Sequence, residues 1–211
     1  MKLTKFTHAC VRLESDDGRA LVIDPGEWSE EAALDGVRDV LVTHEHFDHL
    51  DVEFLTRVAA DNPRLHVWAP APVAQNQLAG LGAAVTPVAP GDTVTAAGFA
   101  VQVVGGAHAE IYEGLPGCAN VGYVVDGAVY HPGDALHVPD APIDTLLVPA
   151  SAPWLKLAEA LDFVRAVKPR RAYPIHDAML SVIGQQSVER WMAAKGDTGY
   201  AWLGPGDAVT I

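Results

Sequence analysis

The chain has 211 residues, 49% of them apolar, enough to bury a sizeable core as one globular domain spanning 1–211. Its 14 Lys and Arg stand against 27 Asp and Glu, and the net charge of −13 repels phosphate backbones and anionic membrane surfaces, so neither nucleic acid nor membrane is expected as a partner. Two cysteines, Cys10 and Cys118, are too few for a disulfide framework and read as buried free thiols; no run approaches a membrane span, so the expected compartment is the cytoplasm.

The opening "MKLTKFTHACVRLES" alternates polar and apolar residues, which predicts a first strand with His8 near its end and not a signal peptide. The strand "RALVID" then brings Asp24 to a Pro-Gly turn, where it either orients a neighbouring histidine or shapes the turn. The next strand, "DVLVTH", runs into "THEHFDHL", which crowds three histidines and two acids between His44 and His49. In an extended segment His44, His46 and Asp48 share one side while His49 points elsewhere, so one ion does not easily collect all four. A catalytic zinc takes about three protein ligands and a water, and the spacing therefore favours two neighbouring ions completed from distant parts of the chain.

Further along, "RLHVWAP" holds His66 inside a strand as a structural histidine, and "GLGAAV" lacks the third glycine of a phosphate-binding turn. "FAVQVVGG" delivers His108 to a loop flanked by Tyr112 and Asn120, which either meet substrate or serve as a loop aromatic and a strand-end cap. "NVGYVVD" and "AVYHPG" precede Asp134, with His131 before it and His137 beyond it in a polar turn. After "DTLLVPA", Trp154 either walls the pocket or anchors the helix predicted over 155–167, whose apolar positions Leu157, Ala160, Leu161, Val164 and Val167 share a face. Finally "RRAYPIH" brings His176 to a strand end, and the strand, His-with-Asp, helix order of this unit echoes the one around "THEHFDHL".

His108, Asp134 and His176, each just past a strand, are the candidates to complete the metal set. Imidazole and carboxylate without thiolate suit zinc first, and manganese, iron and nickel also. Two such ions lower the pKa of a water held between them and polarise a carbonyl or phosphoryl oxygen, which predicts a hydrolase acting through a bridging hydroxide. Asp48 is the natural proton acceptor, with His8 and His131 nearby either as donors or shuttles or as structural hydrogen-bonding residues.

With "LTKFTHACVRLES", "LVIDPG", "VTHEHFDHLD", "GGAHAE", "NVGYVV", "YHPGDA" and "YPIHD", the sequence resembles the metallo-β-lactamase-fold superfamily over nearly its whole length. It is most similar to the compact branch of ascorbate 6-phosphate lactonase, through "THAC" with "IDPG" and "NVGYVV" with "YHPGD". The resemblance implies an α/β fold, a four-layer αββα sandwich with mixed β-sheets and metals at one edge. It also implies a first ion on His44, His46 and His108, a second on Asp48, His49 and His176, and Asp134 bridging them. The family usually has glycine before its first histidine, where Thr7 stands here.

The expected activity is hydrolysis of a small ester, lactone or phosphorylated metabolite, and the lactonase branch adds a possible homo-oligomer by analogy. A nuclease or phosphodiesterase of the same fold would need a basic track that the sequence lacks. A di-iron redox relative would typically carry Glu where His46 stands, and a non-catalytic metal-binding relative would have lost ligands.

Overall fold

The computed structural model describes residues 1–115 and 117–211, arranged as two seven-stranded mixed sheets packed face to face with helices outside. In the first sheet, β1 (Lys2–Lys5), β2 (Val11–Glu14) and β3 (Ala20–Ile23) form an antiparallel meander, and β4 (Asp39–Leu41), β5 (His66–Pro70) and β6 (Val85–Val88) continue it in parallel. In the second, β7 (Thr93–Ala96), β8 (Phe99–Gly105), β9 (Val121–Val125) and β10 (Val129–His131) run antiparallel, and β11 (Thr145–Pro149), β12 (Arg171–Ile175) and β13 (Gly199–Tyr200) follow in parallel. A last strand, β14 (Ala208–Thr210), closes on β1.

The apolar pattern explains which faces are covered. Strand β11 is buried at all five positions, as a parallel strand with layers on both faces must be. Strand β8 instead alternates, with Ala100 and Gln102 exposed between buried Phe99, Val101 and Val103. Three cores result. Leu13, Ile23, Val101 and Tyr123 belong to the one between the sheets. Val40 and Val67 pack beneath α1 (Val52–Asp61) and the short α2 (Ala71–Gln75), and Val148 packs against α3 (Leu157–Val167) and α4 (Val182–Lys195). The order of layers is helix, sheet, sheet, helix, the αββα sandwich expected from the sequence.

The helix predicted over 155–167 begins at Leu157, after Lys156, whose backbone N–H is held by the Glu159 carboxylate at 3.0 Å. It ends at Lys168, in the left-handed region before Pro169. No helix among the described residues is long and apolar enough to cross a membrane.

The two echoing units occupy equivalent places, the segment after β4 leading into α1 and the segment after β12 leading into α4. Next to His44 the sheets are spliced together, since the Val121 N–H donates to the Thr43 carbonyl at 3.0 Å and the Tyr123 hydroxyl to the Val42 carbonyl at 2.8 Å.

Candidate metal centre

The stretch after β4 departs from extended backbone. The His49 and Leu50 N–H groups both reach back to the His46 carbonyl at 2.9 Å, so residues 46–49 form a tight turn. The turn and not strand alternation separates His44 and His46 from Asp48 and His49. Gly26, of "IDPG", makes room for it: a Cβ there would lie 2.2 Å from the Asp48 carbonyl carbon and oxygen. Its neighbours fasten the turn, with Glu27 N–H on the Phe47 carbonyl at 2.8 Å and Asp51 N–H on the Pro25 carbonyl at 3.0 Å.

Four of the five converging imidazoles have their outer nitrogen tied to the protein. His44 Nδ1 lies 3.0 Å from the Thr43 hydroxyl, which itself donates to Asp24, and His49 Nδ1 lies 2.7 Å from Asp24 Oδ2. His108 Nδ1 and His176 Nδ1 sit 2.5 Å from the carbonyls of Ala109 and Ser151. Each of these rings therefore directs an N–H outward and turns its Nε2 inward. His46 is reversed, with Nδ1 facing His44 Nε2 at 3.1 Å and Nε2 toward Cys118 Sγ at 4.0 Å.

These inner atoms fall into two groups. His44, His46, His108 and Asp134 each offer an atom within 4.8 Å of the others, and so do His8, Asp48, His49 and His176. Asp134 stands between them, Oδ1 at 3.1 Å from His49 Nε2 and Oδ2 at 3.3 Å and 3.0 Å from His108 and His176 Nε2. Despite this closeness, His49 Nε2, His108 Nε2, His176 Nε2 and Asp134 Oδ1 are buried without a hydrogen-bond partner. Four orphaned buried atoms carry a desolvation cost that a shared cation would remove, so the residues present fit divalent metal ions.

Electrostatics points the same way. Burial drives His44 well below the ordinary histidine range, with the charge of His49 adding to the effect, and burial lowers His46. Burial alone would raise the Asp134 and Asp48 carboxyls, but the charge of His49 and the approach of His108 and His176 hold Asp134 far down, and contacts from His176 and His8 do the same for Asp48. In turn the carboxylates overcome burial at His49, which is raised well above its usual value, and at His176, pushed up to about 9. The centre is thus a buried concentration of negative charge that attracts positive charge.

His8 belongs to the outer ring of this arrangement. Its Nδ1 accepts from the Ala178 N–H at 3.3 Å, so Nε2 carries the hydrogen and donates to Asp48 Oδ2 at 3.1 Å. His8, Asp24 and His176 have φ of 64°, 53° and 57°, three of the seven non-glycine residues in the left-handed region among the described residues. The site thus holds backbone strain of its own. The Glu30 carboxylate holds the segment before His8 through the Thr7 N–H and hydroxyl, at 2.9 Å and 2.6 Å. The positive φ falls on His8 itself and not on Thr7, so position 7 does not require glycine.

Two expectations are corrected. His131 is not at the rim: it is fully buried, its Nε2 2.9 Å from the Ala9 carbonyl and its Nδ1 accepting from Gly133 N–H, so it has no nitrogen left to relay a proton. Asn120 does not face substrate either. It is fully buried, with its amide donating to the Pro132 carbonyl at 2.9 Å and accepting from the Asp134 N–H at 3.0 Å, a brace that fixes the Asp134 backbone.

Trp154 walls the centre, its indole N–H on Asp134 Oδ2 at 3.1 Å and its ring 6.0 Å from that of His108. Tyr112 is 74% exposed on the loop after His108. His66 bonds the Thr86 hydroxyl at 2.8 Å, a structural role, and exposed His137 contributes its carbonyl to Tyr130. Cys10 is a buried thiol as expected, whereas half-buried Cys118 lines a pocket with His46, a place nothing in its local sequence signals.

The β-lactamase superfamily domain matches residues 2–176. Protein Rv0786c of Mycobacterium tuberculosis is 40% identical over 188 residues, 86% of each chain. A UPF0173 metal-dependent hydrolase of Mesorhizobium japonicum is 31% identical over 160 residues, 64% of this chain and 63% of that relative. Among solved structures, Igni18, a metallo hydrolase from Ignicoccus hospitalis, superposes with a TM-score of 0.77 at 20% identity, covering 100% of this chain and 97% of the other, a likeness of fold.

Proposed function

The chain belongs to the β-lactamase superfamily domain family, with the metallo-β-lactamase fold, and we propose that it is a hydrolase dependent on two divalent cations. The observation that carries this reading is the set of buried inner atoms without partners, on rings whose outer nitrogens are already bonded. His44, His46 and His108 would hold the first cation, Asp48, His49 and His176 the second, and Asp134 would bridge them. Zinc suits this donor set first, with manganese, iron and nickel as alternatives. The similarity to a metal-dependent hydrolase of Mesorhizobium japonicum supports the reading.

When bound, such a pair supplies Lewis acidity and brings the pKa of water toward neutrality. The chain does the rest. Asp48, held by His8 at Oδ2, remains an anion that orients the hydrogen of an attacking water. Trp154 covers Asp134 and keeps bulk water off it. In ester hydrolysis the water oxygen bonds to the acyl carbon, the bond to the alcohol oxygen breaks, and a proton passes to the departing alkoxide. The substrate is a small ester, lactone or phosphorylated metabolite.

Protein expressed with zinc or manganese supplied is expected to contain about two equivalents. Chelation is expected to abolish hydrolysis of a model ester or phosphodiester, and re-addition of the metal to restore it. Content well below one equivalent would overturn the dinuclear reading.

A further inference from the structure

One pocket opens on the rings of His46 and His108. Its volume is about 260 Å³, below the roughly 300–1,000 Å³ of typical drug-sized ligand sites, so it admits a small group. Ile111, Leu115 and Cys118 also line it, Cys118 beside His46, and Ile111 and Leu115 are 40% and 55% exposed. Exposed Phe47 projects from the metal-binding turn itself, and Trp28 meets it edge-on at 5.5 Å while also touching the His8 ring at 4.8 Å. These side chains leave water only when something apolar lies on them.

The charges near this pocket have a single sign. Among the described residues the one charged lining group is Glu110, and Glu45 places a second negative charge beside Cys118. No lysine or arginine lines the pocket among the described residues. Lys5, at the end of β1, is fully buried and bonded to the Phe6 carbonyl and, at 3.1 Å, to Asp177 Oδ1. A phosphate or carboxylate away from the reacting centre would need an arginine or lysine to replace its water, and would meet Glu110 instead.

Within the hydrolase reading above, we infer that the substrate is a small ester or lactone whose apolar, uncharged acyl side lies against Ile111 and Leu115, and that compounds carrying a phosphate or carboxylate on that side are rejected.

The test uses the zinc-loaded full chain and p-nitrophenyl esters from acetate to hexanoate, with mono-p-nitrophenyl succinate, whose free carboxylate lies on the acyl side, as the anionic probe. The expected result is a kcat/KM that rises about three- to fourfold per added methylene, with the succinate at least about a hundredfold below the butyrate. Binding of the neutral amides from acetamide to hexanamide, followed by NMR, needs neither metal nor turnover and is expected to tighten along the same series. Leu115→Ser and Ile111→Ser are expected to flatten both slopes. A flat amide series in the wild type, slopes untouched by these variants, or turnover of the succinate equal to or above that of the butyrate would overturn the inference. Failure of the hydrolase reading looks different, because no ester turns over although the amide series still slopes.

Discussion

The Asp24 carboxylate and the His49 imidazole lie 2.7 Å apart, Oδ2 to Nδ1, with both side chains fully buried. Asp24 also accepts from the Thr43 hydroxyl and the Thr43 N–H, each at 2.7 Å, and thereby steadies His44 as well. A carboxylate placed behind an imidazole fixes its tautomer and raises its basicity. Asp24→Asn is therefore expected to weaken binding at the His49 position by about 10- to 100-fold and to leave the His44 position less affected. Equilibrium dialysis against zinc measures both affinities, and two unchanged sites would rule out the role.

Orphaned buried atoms predict that cations stabilise the fold. At a free zinc concentration about a hundred times its dissociation constant, linkage gives about 2.7 kcal/mol, roughly a 5–10 °C rise in Tm for a chain of this size. Scanning calorimetry with and without a chelator checks it. An equal Tm in the two conditions would mean that the cluster does not bind metal in the folded state.

Much of this site was readable in "THEHFDHL" because so many ligand-type side chains in one stretch have no economical structural explanation. Strand alternation grouped His44 with His46 and set His49 apart, but it carried Asp48 to the wrong side, while the 46–49 turn places Asp48 with His49. What stayed hidden depends on contacts between distant segments. Trp154 on Asp134, Asn120 bracing Asp134, Glu30 on Thr7 and Lys5 on Asp177 have no local signature, since each pairing is set by how the two sheets close. His131 misled because a histidine beside Pro-Gly-Asp looks like a rim residue, and only the burial of β10 shows otherwise.

Gly26→Ala tests whether the "IDPG" turn shapes the centre. The added methyl group meets Asp48 backbone, which does not yield as a flexible side chain would. Overpacking of this kind costs about 1–3 kcal/mol, and displacement of Asp48 and His49 is expected to lower zinc content below two equivalents. A variant with wild-type Tm and full metal content would show that the turn tolerates the methyl group.

Alkaline stability follows from buried groups that are not among the candidate ligands. Burial pushes the Cys10 thiol up to about 12 and raises the Tyr123 and Tyr130 hydroxyls above their usual value of 10. These groups are raised in the folded state, so their contribution is fully present below the unfolded values, near 9 and 10. It is lost as pH rises through the folded ones, at up to about 1.4 kcal/mol per pH unit for each group. Urea unfolding is expected to show a midpoint that falls progressively above pH 9, and a flat midpoint to pH 12 would contradict the burial of these groups.

His8 and His131 are expected to fail in different ways when replaced. Asparagine tolerates the positive φ at position 8 but is too short to reach Asp48, so His8→Asn is expected to lower kcat/KM by about 10- to 100-fold with a modest change in Tm. His131→Phe keeps the ring volume and leaves the Ala9 carbonyl and the Gly133 N–H without partners. Each buried orphan costs about 1–3 kcal/mol, so Tm is expected to fall while kcat per folded molecule holds. Paired kinetics and calorimetry on the two variants separate the roles. A large loss of kcat in folded His131→Phe would return that residue to the reaction, and full activity in His8→Asn would remove the hydrogen bond to Asp48 from it.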